Sequence, residues 1–487
     1  MLLPRSPEPE PTPTVPARPL ETDAATTPDP YLPTVGGTPW RLEHVELDID
    51  VKLAANRLSG RCILTGVLTA DTKGVELDLH KLVASRVELS VAGAPPVRVN
   101  ATQPRRSPHR VVVAFPARLA AGTRIALTVD YAGTPKPRRS AWGTIGWEEL
   151  SDGVLVAGQP HGASTWFPCV EAPGQRVTAA ITLSCDAGYL PVANGQGHEV
   201  RRKGSRVTWS WRLDEPVSPY LLTVQIGRYR LVELPVPEDD AAAGEAAEDG
   251  ARVPIQLAVA PEHEHRARTA LASQHAMMAV FEERFGPYPF PVYTAVVAAE
   301  PLEIPLESAA LSLFGTNHLS GDWEAERLIA HELSHQWFGN AVTLHRWRDI
   351  WLHEGFACYA EWVWSEASGR ATVLEHARTA WAGLARQGHD LVLGDPGARD
   401  MFDDRVYKRG ALTVVAVRSL LGEEQFTAML RSWIREHLFT SVDAAQFRAH
   451  VRRHAELAGV PGTAAVELFA AWVDATALPP FPDADLH

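Results

Sequence analysis

The sequence has few of the features that mark secreted, membrane-spanning or nucleic-acid-binding proteins. Only four cysteines occur in 487 residues, and no two of them form a C-x-x-C pair, which is typical of reduced thiols in a cytoplasmic protein. No apolar run approaches the roughly 18 residues that a transmembrane helix needs, and the opening stretch MLLPRSPEPEPTPT lacks the apolar core of a signal peptide. The net charge of −13 disfavours nucleic acid as a partner. We therefore expect a cytoplasmic protein that binds neither membranes nor nucleic acid.

Composition and patterning divide the chain into four parts. Residues 1–36 are rich in Pro, Thr and Glu, which predicts a disordered tail. Short alternating segments such as VELDIDVKL and IALTVDYAG fill residues 37–236 and predict an antiparallel, sandwich-like β domain. Residues 237–252 are acidic and alanine-rich and predict an exposed linker. Helical periodicity dominates residues 253–480 and predicts a mainly helical second domain.

The boundaries of three helices in the second domain can be predicted. An amphipathic pattern covers residues 267–286. Residues 322–338 contain no Gly or Pro, and Gly339 stands where a left-handed C-cap is expected, so the pattern predicts a helix of about four turns there. Residues 350–368 have apolar and aromatic side chains at helical spacing and are followed by Gly369.

The stretch HELSH, residues 331–335, lies in the second of these helices. His331 and His335 are four residues apart and therefore share one helix face, where two imidazoles can bind one metal ion. Glu332 projects from the neighbouring row, within reach of a metal-bound water. Because an H-E-x-x-H pattern also arises by chance, a third ligand is needed to support this interpretation.

Glu354 is the candidate for the third ligand. It follows His335 by 19 residues, which leaves room for a loop and an antiparallel return. It is an acid in an otherwise apolar run, and buried carboxylates are rare unless they are paired or bind metal. Two histidines and one glutamate leave a position open for water, so the residues predict one catalytic zinc ion per chain. His345 and His353 flank the site and are interpreted as incidental, since three protein ligands are already present.

With FGPYPF at 285–290 and QPHGASTWFPCVEAPGQ at 159–175, these motifs resemble those of a known family. That family is the zinc aminopeptidases typified by aminopeptidase N and leukotriene hydrolase. WLHEGFA at 351–357 is similar to the family's W-L-N-E-G-F-A, with His353 in place of Asn, and the resemblance covers roughly residues 40–480. It implies an N-terminal sandwich- or saddle-like β domain on a thermolysin-like metallopeptidase domain. Many members add a large C-terminal helical domain, which we expect this chain to be too short to carry.

The resemblance also implies roles for three residues outside the zinc motif. Glu307, 24 residues before His331, matches the glutamate of the family's G-x-M-E-N segment, which binds the substrate's α-ammonium group; here the segment reads IPLES. Gln159, ten residues before Cys169, matches a second amine-binding group. Tyr407 opens YKRG, which resembles the family's Y-x-K-G, and would donate a hydrogen bond to the oxyanion that forms during catalysis.

Two acidic residues are candidates for orienting a ligand histidine. Glu361 follows Glu354 by seven residues and therefore lies on the same helix face. Asp349 is the other candidate. A carboxylate that accepts a hydrogen bond from the second ring N–H of a ligand histidine commonly fixes the orientation of that ring.

Together these features predict a zinc-dependent aminopeptidase that removes N-terminal residues from peptides in the cytoplasm. Glu332 would take a proton from a zinc-activated water and pass it to the leaving amine. The altered IPLES segment leaves an endopeptidase and an epoxide hydrolase open as alternatives, and a non-catalytic scaffold of the same fold is another. The expected partners are peptides with a free N-terminus, and the expected oligomeric state is a monomer.

Overall fold

The computed structural model describes residues 26–236 and 252–482. Its first part is built from β strands and its second part is mainly helical, in the order that the sequence predicts. Within these described ranges, no helix is long and apolar enough to cross a membrane. The four cysteines all lie in the described part and are buried and unpaired, as expected.

Three sheets make up the N-terminal β domain. Their strands, in chain order, are β1 (Trp40–Lys52), β2 (Arg57–Leu68), β3 (Thr72–Asp78), β4 (Leu82–Val91), β5 (Val97–Arg98), β6 (Asn100–Thr102), β7 (Arg110–Leu119), β8 (Arg124–Gly133), β9 (Arg138–Ser140), β10 (Gly143–Leu150), β11 (Gly153–Ala157), β12 (Val177–Asp186), β13 (Leu190–Ala193), β14 (Gln196–Lys203), β15 (Arg206–Val217) and β16 (Val224–Gly227). The sheet orders are β14-β15-β12-β1-β2-β8-β4-β5, β13-β16-β11-β10-β9 and β3-β7-β6. Neighbouring strands run antiparallel except β1 and β12, which are parallel because the chain leaves this sheet and re-enters it beside β1.

The alternation of apolar and polar residues determines which face of each strand enters the core. In β12, VTAAITLSCD, every second side chain from Val177 to Cys185 is buried. Strand side chains point alternately to opposite faces, so this alternation places one row against the other sheets and leaves the other row partly exposed.

The second domain combines a mixed sheet with nine helices among the described residues. Its strands are β17 (Arg230–Glu233), β18 (Ile255–Val259), β19 (Tyr293–Val297), β20 (Leu306–Ser308), β21 (Leu311–Phe314), β22 (Thr343–Leu344) and β23 (Ser441–Val442). Its helices are α1 (Glu264–Ala270), α2 (Gln274–Phe285), α3 (Trp323–Ser334), α4 (Trp351–Ala367), α5 (Val373–Leu384), α6 (Asp404–Leu421), α7 (Glu423–His437), α8 (Ala444–Leu457) and α9 (Gly462–Phe469). The main sheet has the order β17-β18-β19-β21-β20, and β22 pairs with β23.

The boundary between the domains differs from the predicted one. β17 pairs with β18 and so belongs to the sheet of the second domain, although its sequence continues the pattern of the β domain. The boundary therefore lies between Gly227 and Arg230. Local sequence could not predict it, because β18, the partner of β17, comes after the linker. Of the predicted linker, residues 237–251 lie outside the described residues.

Two predicted helices have different bounds in the structure. Residues 267–286 are split between α1 and α2, which are separated by a turn at 271–273. The helix that contains the HELSH motif ends at Ser334 and not at residue 338. Beyond Ser334 the backbone tightens, and the N–H of Gln336 donates to the carbonyl of Leu333 at 3.1 Å. The side chain of Gln336 accepts a hydrogen bond from the backbone N–H of Ala310 at 2.9 Å and donates one to the carbonyl of Ser308 at 3.1 Å. These tertiary contacts fix the turn that follows the helix.

Residues 26–36, predicted as part of a disordered tail, connect the two domains. The N–H of Gly36 donates to Asp78 of β3 at 2.9 Å. At the other end of the segment, Asp29 accepts a hydrogen bond from the N–H of Trp347 at 2.9 Å, just before α4. The predicted tail is therefore too long by this segment, and its residues 1–25 lie outside the described residues.

We expect loss of the Asp29 carboxylate to destabilise the protein. Asp29 is 3% exposed and accepts hydrogen bonds from the N–H groups of both Tyr31 and Trp347. Asp29→Ala leaves these donors without a partner, which costs about 1–3 kcal/mol in the free energy of unfolding. Urea denaturation measures the loss. The control is Asp214→Ala, which removes an exposed ion pair with Arg212 and should cost less than about 1 kcal/mol. Equal losses in the two variants would contradict the proposed contact.

Candidate metal centre

His331, His335 and Glu354 meet at the centre of a buried cluster. The Nε2 atoms of His331 and His335 lie 3.4 Å and 3.5 Å from the same carboxylate oxygen of Glu354. One potential ligand atom from each residue lies within 4.8 Å of the other two. The structure thus brings together the three residues that the sequence predicts as ligands.

The ends of two helices position these three side chains. Asp322 is the N-cap before α3. Its carboxylate accepts a hydrogen bond from the N–H of Ala325 at 2.9 Å, which sets where the helix begins. His331 lies in the last turn of α3 and His335 is its C-cap residue. Glu354 lies in the first turn of α4, so the loop between the helices returns its carboxylate to the imidazoles.

The other nitrogen of each imidazole is held by an acceptor. Nδ1 of His331 lies 2.7 Å from a carboxylate oxygen of Glu361. Nδ1 of His335 lies 3.0 Å from the backbone carbonyl of Phe338. Because a carboxylate and a carbonyl only accept hydrogen bonds, both Nδ1 atoms carry the proton, and both Nε2 lone pairs are available to a metal.

Of the two acids considered for this orienting role, only Glu361 is in contact with a ligand histidine. Its second oxygen lies 3.3 Å from the guanidinium of Arg327. Asp349 instead accepts a hydrogen bond from the backbone N–H of Ala444 at the start of α8, and burial raises its pKa to about 7. Among its described contacts there is no ligand histidine.

The charges in the cluster favour a bound cation. Burial would lower the pKa of His331, but its hydrogen bonds to Glu354 and Glu361 raise that pKa to about 10. A metal would therefore bind by displacing a proton from Nε2. Burial raises the pKa of Glu332 to about 8, and the carboxylates of Glu307 and Glu354 add to this effect. Several buried carboxylates this close together are stable only when a positive charge lies beside them. A divalent cation would supply it.

The donor set fits zinc. Two imidazole nitrogens and one carboxylate oxygen are the ligands of catalytic zinc sites, which keep a further position open for water. The Oε2 atom of Glu332 is buried and has no hydrogen-bond partner among the described residues. A cation beside Glu332 would favour the ionised carboxylate, and this atom could then accept a proton from a water at that open position.

The two predicted amine-binding residues are also in contact with each other. Nε2 of Gln159 donates to Oε1 of Glu307 at 2.6 Å. Glu307 lies on β20, and one of its carboxylate oxygens is within 4.8 Å of ligand atoms of Glu332 and His335. The hydrogen bonds of Gln336 to the β20–β21 hairpin hold this strand against the end of α3.

Tyr407 lies against the ring of His331. Their rings are stacked, with centroids 6.0 Å apart and planes at 20°. Burial and the charge of Glu354 raise the pKa of Tyr407 well above its usual range, so the phenol keeps its proton and can donate a hydrogen bond.

Two glycines bring the helix that carries Tyr407 close to the helix that carries Glu354. The sequence predictions gave these glycines no packing role. A Cβ on Gly355 would lie 2.7 Å from Cα of Gly410, and a Cβ on Gly410 would lie equally close to Cα of Gly355. α4 and α6 can therefore approach each other only where both helices lack a side chain. The signal was present, since both glycines lie in the motif segments WLHEGFA and YKRG.

The flanking histidines do not join the centre. Neither His345 nor His353 belongs to a group of described residues that could hold a metal ion. His353 is fully buried, and burial lowers its pKa to about 3, so its imidazole is neutral. The interpretation of both residues as incidental to metal binding agrees with this placement.

Comparison with known families identifies the family and the fold. A model of the peptidase M1 N-terminal domain matches residues 41–221, and a model of the peptidase family M1 domain matches residues 269–472. The chain belongs to peptidase family M1. The family and the two-domain fold class expected from the sequence are thereby confirmed.

Curated M1 relatives are much longer than this chain. Aminopeptidase N of Haemonchus contortus is 24% identical over 429 residues, which cover 80% of this chain and 42% of that protein. Aminopeptidase B of Rattus norvegicus is 27% identical over 312 residues, which cover 60% of this chain and 45% of that protein. The chain thus spans less than half the length of these relatives.

Solved structures match over both domains. The M1 zinc metallopeptidase from Deinococcus radiodurans superposes with a TM-score of 0.80 at 26% identity, covering 94% of this chain and 99% of that one. A two-domain M1 zinc metallopeptidase variant bound to L-arginine gives the same TM-score and identity. The match covers 93% of this chain and 99% of that one. These neighbours support zinc as the metal of the M1 site described above.

We expect Glu361 and Asp349 to differ in their effect on zinc affinity. Glu361→Gln replaces the charged acceptor of the His331 N–H and should raise the dissociation constant for zinc about 10- to 100-fold. Asp349→Asn, the matched control, should change it less than about 3-fold because its carboxylate lies beside α8. Competition with a chromogenic chelator measures both constants. Equal weakening by the two substitutions would be inconsistent with the observed placement.

Proposed function

We propose that this M1 peptidase is a zinc-dependent aminopeptidase that hydrolyses the first bond of peptides with a free N-terminal ammonium group. The observation that carries the proposal is the buried carboxylate of Glu307, which lies beside Glu332 and His335 and is 7% exposed. A buried acid is costly unless a positive group pairs with it, and a substrate ammonium can provide that charge. The curated relatives named above are aminopeptidases, and one solved variant from Deinococcus radiodurans is bound to a Tyr-Ser-Ala substrate.

Gln159 and Glu307 together offer acceptors for the ammonium group. Because the amide nitrogen of Gln159 already donates to Oε1 of Glu307, its carbonyl oxygen is left as an acceptor. The second carboxylate oxygen of Glu307 is another. An ammonium group has three N–H donors, so it can use both acceptors and bring the charge that the pair lacks. An acetylated N-terminus has no charge and keeps only one N–H donor.

The reaction would use one metal, its three ligands and two further side chains. Zinc, held by His331, His335 and Glu354, would polarise the scissile carbonyl and make a bound water more acidic. Glu332 takes the proton of the attacking water at its free Oε2 atom and passes it to the leaving nitrogen. Tyr407, kept protonated by its surroundings, donates a hydrogen bond to the oxyanion that forms on the carbonyl oxygen.

The proposed setting is the cytoplasm, with peptides as partners and a monomer as the working state. The four buried, unpaired thiols support a reducing compartment. The net charge of −13 argues against nucleic acid as a partner.

A panel of aminoacyl fluorogenic amides, assayed with and without a chelator, tests the proposed activity. We expect chelation to abolish turnover, and N-acetylation of the substrate to lower kcat/KM at least about 100-fold, because the buried Glu307 then lacks its charged partner. Glu307→Gln should lower kcat/KM for free amides about 100-fold, whereas Glu303→Gln, an exposed acid in the preceding loop, should leave it unchanged. Efficient cleavage of acetylated peptides would indicate an endopeptidase, and turnover of epoxides alone would indicate an epoxide hydrolase.

Substitutions at the reacting groups should separate a catalyst from a scaffold. Glu332→Gln should lower kcat about 10²- to 10⁴-fold while zinc stoichiometry stays at one, since the residue moves protons and is not a ligand. Tyr407→Phe should lower kcat about 100-fold through loss of one oxyanion donor. Tyr189→Phe, at a partly exposed tyrosine of the β domain, is the control. A wild-type protein that binds zinc but turns over no substrate would support the scaffold alternative.

A further inference from the structure

A single asparagine of the β domain is bonded to the hairpin that carries Glu307. Asn194 directly follows β13 and is 1% exposed. Its amide nitrogen donates to the backbone carbonyls of Leu221 and Ala309, each at 2.8 Å. Its amide oxygen accepts a hydrogen bond from the N–H of Thr223 at 2.7 Å. The side chain therefore uses its nitrogen and its oxygen to join one segment of the β domain to the catalytic domain.

Ala309 lies in the two-residue turn of that hairpin, between β20 and β21. Its N–H donates to the carbonyl of Leu221 at 3.2 Å, and its own carbonyl accepts the hydrogen bond from Asn194. The β domain therefore bonds both backbone polar groups of this turn residue. Glu307 pairs with Ser312 of β21 across the same short hairpin. The position of the Glu307 carboxylate thus depends on where the β domain holds the turn.

The same hydrogen-bond network reaches the segment that carries Gln159. The hydroxyl of Thr223 donates to the carbonyl of Val156, on β11, at 2.7 Å. Farther along the chain, the backbone of Gly158 touches that of Tyr220, since a Cβ on Gly158 would lie 2.0 Å from the carbonyl oxygen of Tyr220. The backbone that leads into Gln159 is therefore fixed against the segment that Asn194 bonds.

The contacts form a closed ring at the two predicted amine-binding side chains. Nε2 of Gln159 donates to Oε1 of Glu307 at 2.6 Å, and the two backbones that carry these residues are joined through Asn194 and Thr223. Asn194 and Thr223 are both less than 2% exposed. A buried polar network whose members are hydrogen-bonded is rigid. The separation of the two side chains is therefore set by this network.

We propose that Asn194 is a positioning residue, which holds Gln159 and Glu307 at the separation that an N-terminal ammonium group requires. This inference rests on the proposed aminopeptidase function. The polar atoms of Asn194 bond backbone groups, so the residue acts through the two amine-binding side chains. Without it, the carbonyl of Ala309 loses its link to the β domain and the hairpin can shift. Hydrogen bonds to an ammonium group weaken steeply when distance and angle change.

The test measures by calorimetry how tightly the zinc-loaded enzyme binds two ligands that differ in the ammonium group. Alanine hydroxamate and propionohydroxamate share the metal-binding hydroxamate, but only the first carries an ammonium group. The wild type should bind alanine hydroxamate about 10- to 100-fold more tightly. Asn194→Ala should lower this ratio about 5- to 10-fold and change the affinity for propionohydroxamate less than about 2-fold.

Variants of Thr223 and Ser151 are the controls. Thr223→Val removes the hydroxyl that bonds Val156 and should lower the ratio about 3-fold. The effect is smaller because the side chain of Gln225 still donates to that carbonyl at 3.0 Å. Thr223→Ser keeps the hydroxyl and should restore the wild-type ratio. Ser151→Ala removes a different hydrogen bond between the domains, to Glu300 in the loop before β20, and should leave the ratio unchanged.

The outcomes separate positioning from a purely structural role of Asn194. Equal weakening of both ligands in Asn194→Ala would overturn the inference, because that is the result of a loosened domain contact. An unchanged ratio, or an equal fall in Ser151→Ala, would also overturn it. If Asn194→Ala does not fold, an unchanged ratio in Thr223→Val has the same meaning. A wild type that binds both hydroxamates equally would instead refute the ammonium recognition in the proposed function, and this inference with it.

Discussion

Inside the helical domain, four glutamate carboxylates and two imidazoles share one buried space. Glu307, Glu332, Glu354 and Glu361 are each less than 10% exposed, and little water reaches them to offset their charges. Like charges at such distances are stable only beside a positive group. Burial and the neighbouring carboxylates raise the pKa of Glu332, whereas for Glu354 the imidazoles of His335 and His331 outweigh burial and lower the pKa. The cluster has two places for such a group: the Nε2 lone pairs favour a metal, and the Glu307 end favours an ammonium group.

Close backbone contacts hold this space in shape. Gly355 and Gly410 let two helices touch, which sets Tyr407 beside His331. Gln336 joins the end of the zinc-binding helix to the β20–β21 hairpin. The first contact links the helix of Tyr407 to the helix of Glu354, and the second links the strand of Glu307 to the helix of the histidines. Packing outside the proposed reacting groups thus helps to fix the relative positions of the proposed metal ligands, base and oxyanion donor.

The sequence predicted most reliably what depends on local periodicity. His331 and His335 share a face because four residues make about one helical turn, and Glu354 was found because it is an acid in a buried helix. What depends on distant partners could not be read from the sequence. β17 is assigned to the second domain by β18, across the linker. Residues 26–36 look like a tail by composition, yet Asp29 meets Trp347. Asp349 has the right residue type near the site, but its partner is the N–H of Ala444 on another helix.

The candidate metal site lies in one domain, whereas the proposed substrate site takes residues from both domains. The three proposed zinc ligands, with Glu332, Glu307 and Tyr407, come from the helical domain. Gln159, which contacts Glu307, comes from the β domain. A helical domain separated from its partner would therefore keep the donors for zinc but lose half of the pair proposed to bind the ammonium group. The sequence can vary at the contact between the domains without altering the metal site, so substrate choice can diverge in this fold while the hydrolytic chemistry stays the same.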